Sequence, residues 1–213
     1  MPLPTDLKSQ MLDRMTAARP RSVWTPADFL DLASRDAVDK ALQRLVHADR
    51  LRRIDRGLYD MPAINALTRQ PSALDPGQVI EAVARRDQIR VLIDGMTAAN
   101  DLGLTTAVPS KIVVHTDARL RSIHLGNMVI TFKLTAASKL YWAGRPAMRI
   151  VQALHWLRET LTDPEDLGNV QRRVDDLLHT GPGASKIRDD LSDGVTTLPA
   201  WMHEFLRPLL KAR

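Results

Sequence analysis

Apolar positions in the N-terminal third recur at helical spacing and then give way to a short alternating stretch. Leu7, Met11 and Met15 stand four apart, which predicts a helix over residues 7–18. Arg19-Pro20-Arg21-Ser22 interrupts it, because proline cannot continue the hydrogen-bond ladder. Thr25-Pro26-Ala27-Asp28 reads as a new start: Thr25 can cap, Pro26 suits the first turn and Asp28 favours the positive end of the helix dipole. This second helix is short, ending near Leu32, and Ser34 is placed to cap a third over residues 35–48. In the third helix Val38, Ala41, Leu42, Leu45 and Val46 fall on one side. Arg35, Asp36, Asp39, Lys40, Gln43, Arg44 and His47 fall on the other. Leu51-Arg52-Arg53-Ile54, a turn at Asp55-Arg56-Gly57, and Leu58-Tyr59-Asp60 then predict a β-hairpin, with Gly57 able to take a positive φ.

A turn-rich stretch around Pro71-Ser72 separates this block, residues 1–62, from a second, residues 75–213. Asp75-Pro76 starts a helix through Arg86, with Val79, Ile80 and Val83 inward. A strand over 89–93, a brief helix over 96–102 ended by Gly103, and a strand over 111–115 come next. Segments 121–125 and 128–134 form a hairpin around Gly126-Asn127. Its alternation puts Ile123, Leu125, Met128, Ile130 and Phe132 on one face. Helices over 147–161, 164–179, 184–193 and 199–211 complete the chain, the last kinked or shortened by Pro208. The expected fold class is α+β: an N-terminal winged helix-turn-helix, then a mixed α/β domain with a helical C-terminus.

The 213 residues, 44% hydrophobic and 26% charged, suit a globular protein with a real core. Cysteine is absent, which excludes disulfides and thiolate metal sites. No apolar run approaches the roughly 18 residues of a membrane span, and no secretory signal is legible at the N-terminus. A cytoplasmic location without membrane contact is therefore expected. The formal charge of +5 favours a polyanionic partner.

That charge concentrates where a DNA-binding reading needs it. Helix–short helix–helix followed by a basic hairpin is the winged arrangement, in which a helix enters the major groove and the wing holds phosphate. Ser34, Arg35, Lys40, Gln43 and Arg44 would lie at the groove, where arginine can read guanine and glutamine adenine. Arg52, Arg53 and Arg56 would hold the backbone from the wing. Asp36 and Asp39 share the helix face and would repel phosphate unless paired with a neighbouring cation.

The run from Val23-Trp24-Thr25-Pro26 through Phe29-Leu30, then Ser34-Arg35, Ala37-Val38-Asp39 and Ala41-Leu42, then Leu51 to Ile54 and Gly57-Leu58-Tyr59, resembles the AbiEi-type antitoxins of bacterial AbiE-like toxin–antitoxin pairs. Leu140-Tyr141-Trp142-Ala143-Gly144-Arg145-Pro146-Ala147 and Leu154-His155-Trp156-Leu157 look like that family's second domain. The resemblance spans residues 10–165. It implies an autorepressor that binds double-stranded DNA at its own promoter and counteracts a nucleotidyltransferase-type toxin through the second domain.

Independently of that resemblance, Tyr141, Trp142 and Arg145 form a candidate partner surface, since aromatics and arginine are enriched at binding hot spots. The competing reading of Trp142 is core packing. A one-component regulator whose second domain binds a small-molecule effector is the alternative function. The chain is read as a monomer or weak dimer. No catalytic constellation is legible. A restriction-type nuclease would want a carboxylate two residues before a lysine, and Thr131 stands there in Thr131-Phe132-Lys133, with Asp94 its one candidate acid. The histidines form no zinc spacing, so no metal, cofactor or enzyme activity is expected.

Overall fold

In the computed structural model, residues 6–18, 23–62, 69, 71–107, 109–158, 163–181 and 183–211 are described. The proline-containing break at residues 19–22 and the expected helix end at 161 lie outside them. The chain divides between Ile89 and Arg90 into two compact units. The whole is mixed α+β, with two small sheets.

The first unit contains α1 (Leu7–Ala17), β1 (Val23–Trp24), α2 (Arg35–His47), β2 (Arg52–Asp55), β3 (Leu58–Asp60) and α3 (Pro76–Asp87). Its core is assembled from the stripes that the sequence pattern marks. Met11 and Met15 of α1, Val38, Leu42 and Leu45 of α2, and Phe29, Leu51 and Tyr59 form one buried cluster. Each fully buried side chain of this kind contributes roughly 1.5–3 kcal/mol. Trp24 stacks on Phe29 with ring centroids 5.4 Å apart.

Three features of this unit depart from expectation. The second helix is a single 3-10 turn, Pro26–Phe29, rather than a helix through Leu32. Its start signal is real: the Asp28 carboxylate accepts from Thr25 N at 2.7 Å and from Thr25 Oγ1 at 3.0 Å. The turn stops early because Arg14 ties down its far end, donating to Asp28 O at 2.8 Å and to both carboxylate oxygens of Asp31. Val23–Trp24 is a strand: β1 pairs antiparallel with β3 (Val23 with Asp60, Trp24 with Tyr59), giving a sheet of order β1-β3-β2. Finally, α3 belongs to the first unit, not to the second block. Arg85 Nη2 donates to Val23 O at 3.2 Å and Arg86 Nη1 to Arg56 O at 2.6 Å, so α3 is tied to both β1 and the hairpin turn.

The second unit runs β4 (Val91–Ile93), α4 (Gly95–Asp101), β5 (Lys111–Thr116), β6 (Ile123–Leu125), β7 (Met128–Leu134), α5 (Met148–Leu157), α6 (Pro164–His179), α7 (Ala184–Gly194) and α8 (Ala200–Leu206). Sheet order is β4-β5-β7-β6, with β5 and β7 parallel and the other pairs antiparallel. The β6–β7 register pairs Ile123 with Ile130 and Leu125 with Met128, as the alternation requires. Ile112, Val114, Ile123 and Ile130 face the core. The final helix ends at Leu206, before Pro208.

Two glycines allow close approaches in this unit. A Cβ on Gly95 would lie 2.4 Å from Trp156 Cβ and 2.6 Å from Gln152 O, so only glycine lets α4 sit against α5. A Cβ on Gly194 would meet Trp142 Cη2 at 2.3 Å. Among the described residues no helix is long and apolar enough to cross a membrane.

Candidate nucleic-acid interface

The outer face of α2 begins at Ser34, which occupies the N-cap with an extended backbone (φ −61°, ψ 155°) and an exposed side chain that makes no capping hydrogen bond. Arg35 turns back along the helix and donates through Nε to Asp39 at 2.9 Å. That pair neutralises one of the two acids on the face. Lys40, Gln43 and Arg44 are exposed, and Lys40 and Arg44 make no ion pair among the described residues. The predicted groove-facing residues thus share one helix face, with Lys40 and Arg44 as its unpaired cations. His47 Nδ1 lies 3.2 Å from Gln43 O, within the last turn of the helix.

The hairpin comes directly after α2 and shares its core through Leu51 and Tyr59. Its turn is Arg56-Gly57, with Gly57 at φ +67° as a tight turn demands. Arg53 and Arg56 are exposed; Arg53 Nε reaches a nearby carbonyl, Asp55 O, at 3.5 Å. Arg52 is different. Its Nε and Nη2 donate to the two carboxylate oxygens of Asp60 at 3.0 and 2.7 Å, and Asp60 is only 3% exposed. Those hydrogen bonds hold the Arg52 guanidinium above its ordinary pKa against the opposing effect of burial. Arg52 therefore braces the hairpin, whereas Arg53 and Arg56 project from it. Tyr59 is buried and packs the core.

Sequence reasoning missed the residues that hold this surface in shape. Asp60, Asp31 and Arg86 carried no local signal, because their partners lie 8, 17 and 30 positions away. Arg86 also pairs with Asp87 at 2.6 Å, a bond that raises its pKa.

In the second unit Tyr141, Trp142 and Arg145 do come together. The Arg145 guanidinium lies 4.5 Å from the Tyr141 ring centroid and 5.3 Å from that of Trp142. It also donates to Asp190 and Asp193 of α7, each at 2.7 Å. Trp142 is 7% exposed and seated on Gly194, so it is a core residue, and Arg145 is a strut to α7. Tyr141 alone of the three is exposed.

Asp94 caps α4. Its carboxylate accepts from Thr97 N at 3.1 Å, Thr97 Oγ1 at 2.8 Å and Val113 N at 3.0 Å. Among the described residues no three His, Asp or Glu side chains gather as metal ligands.

These elements make an α+β protein whose first unit exposes a basic helix face and a basic hairpin. The chain belongs to the family of unknown function DUF6088, whose model matches residues 10–179. No curated protein matches it. Among solved structures it is similar to the RV2827C protein from Mycobacterium tuberculosis, at 18% identity and a TM-score of 0.46, over 98% of this chain and 77% of that one. A likeness of that strength decides nothing about function.

Proposed function

We propose that the first unit is a winged helix-turn-helix that binds double-stranded DNA, with α2 in the major groove and the β2–β3 hairpin on flanking phosphate. The observation that carries this reading is the exposed face of α2. Lys40 and Arg44 make no ion pair there among the described residues, and Gln43 lies beside them. An unpaired arginine can contact guanine in two places without first breaking an internal bond, and glutamine can do the same for adenine. Arg53 and Arg56 on the adjoining hairpin supply phosphate contacts that position the helix.

On this reading the protein is a sequence-specific regulator of its own promoter. The resemblance of residues 23–59 and 140–157 to AbiEi-type antitoxins supports a further step: the second unit counteracts a nucleotidyltransferase-like toxin. The test is a gel shift and footprint on the DNA upstream of the protein's own gene at two salt concentrations. A discrete footprint that survives competitor DNA upholds the reading. Salt-labile binding with no footprint overturns it. Rescue of cells expressing a neighbouring nucleotidyltransferase gene tests the antitoxin step, and failure to rescue removes it.

A further inference from the structure

The β2–β3 hairpin is irregular just before its turn. Its ladder pairs Arg52 with Asp60 and Arg53 with Tyr59, then slips by one residue, so that Asp55 faces Leu58 and Ile54 is the extra residue. Such a bulge interrupts the ladder and bends its strand. The neighbouring strand β1 pairs with β3 only at Tyr59 and Asp60, so the end of the hairpin is a two-stranded ribbon. A ribbon of that kind has little stability of its own. The strand hydrogen bonds therefore do not fix the direction of the turn residues Arg56 and Gly57.

Arg86 of α3 supplies that support. Its Nε and Nη2 donate to the two carboxylate oxygens of Asp87, at 2.8 and 2.6 Å. The two-point pair holds the planar guanidinium in one orientation. Nη1 is thereby aimed at the turn and donates to Arg56 O at 2.6 Å. The aliphatic stem packs at the same place: a Cβ on Gly57 would lie 3.5 Å from Arg86 Cδ and 3.9 Å from Pro26 Cδ. The main chain of Arg56 is thus fixed, while its side chain stays exposed and makes no ion pair among the described residues. Arg86 itself is spent: all three of its guanidinium nitrogens are engaged within the protein, and its side chain is 23% exposed.

We propose that Arg86 is a positioning residue for DNA binding, which acts through Arg56. By fixing the turn it holds the Arg56 side chain ready for a phosphate of the duplex, so that the contact forms without ordering a loose loop. This deepens the DNA-binding reading and rests on it.

The test is a double-mutant cycle in the full chain, read as affinity for operator and scrambled duplexes over a range of salt. The clamp is removed by Arg86→Met/Asp87→Asn, which keeps an unbranched stem beside Gly57, leaves no unpaired carboxylate and preserves net charge. In the parent, Arg56→Ala is expected to weaken both duplexes by about fivefold to tenfold and to lower the salt slope by roughly one unit. Without the clamp the same change should cost less than about twofold, because the contact is already lost. Arg44→Ala should cost operator binding the same factor in both backgrounds. Nitrogen relaxation gives a readout without DNA: the Gly57 amide should lose order when the clamp is removed, while the amides of α2 keep theirs. Arg86→Lys, a milder change that keeps a donor for the Arg56 carbonyl, should restore the effect of Arg56→Ala. The proposal fails, and the DNA-binding reading stands, if the parent footprints its promoter but Arg56→Ala costs the same factor with and without the clamp. It fails also if Arg44→Ala loses its effect without the clamp, since the whole unit is then loosened, or if Arg86→Lys restores nothing. A parent that gives no footprint overturns both.

Discussion

Arg52 and Asp60 face each other across β2 and β3 and close a two-point ion pair, Nε–Oδ1 at 3.0 Å and Nη2–Oδ2 at 2.7 Å, over an almost fully buried carboxylate. This separates two arginines that are adjacent in sequence. Removing Arg52 leaves a buried charge without its partner, whereas removing Arg53 exposes nothing. Arg52→Ala should cost about 2–3 kcal/mol in urea unfolding, discounted from a fully buried pair because Arg52 itself is partly exposed. Its salt dependence of DNA binding should stay unchanged well below the melting point. Arg53→Ala should leave stability within about 0.5 kcal/mol and lower the salt slope by roughly one unit. Equal salt slopes for the two variants would refute the division of roles.

On the proposed DNA-binding reading, Arg44 is the α2 side chain assigned to read a base, as an exposed arginine that makes no ion pair among the described residues. Arg44→Ala should weaken binding to the operator by about 1–3 kcal/mol while leaving competitor DNA nearly unaffected. Parallel titrations on operator and scrambled DNA measure the ratio. An equal loss on both would move Arg44 to the phosphate class.

Gly95 and Gly194 admit close packing in the second unit, and their replacement should hurt by different amounts. At Gly95 the added methyl meets a backbone carbonyl, Gln152 O, which cannot move without shifting α5. At Gly194 it meets the rim of the Trp142 ring, which can tilt at the expense of the Arg145 stack. Gly95→Ala should cost about 2–3 kcal/mol or more, and Gly194→Ala less. Thermal melting of the two variants gives the order directly.

Stability should fall on mild acidification. Burial, and then the positive charge of Lys133, push the His115 pKa below the ordinary histidine value, while Asp94 opposes them. Burial and Arg158 do the same for His155. Below about pH 6.5 the unfolded chain therefore binds protons that the folded chain resists, so unfolding becomes easier as pH drops. The melting temperature at pH 5.5 should lie below that at pH 7.5, and a His115→Asn/His155→Asn double variant should show a smaller difference. A double variant with the parent's full pH dependence would contradict this.

How legible these features were depended on how locally they are encoded. The apolar stripe of α2 and the β6–β7 register derive from spacing within a dozen residues, and both appear as read. Val23–Trp24 is too short to show alternation; it is a strand only because β3 lies beside it. The stripe Val79, Ile80, Val83 predicted that α3 is buried but not against which unit, since periodicity names a face and not its partner. The arginines were harder still. A charge count treats each as projecting into solvent, and only the fold shows that Arg52 meets Asp60 and Arg145 meets Asp190.

The three hydrogen bonds accepted by Asp94 join different kinds of structure: two come from the first turn of α4 and one from the middle of β5. Helix ends and sheet edges ordinarily open independently and at low cost. Here one carboxylate belongs to both, so α4 cannot fray at its start without loosening an amide of β5. The amide protons of Thr97 and Val113, 16 residues apart in sequence, are thereby made members of a single cooperative opening unit.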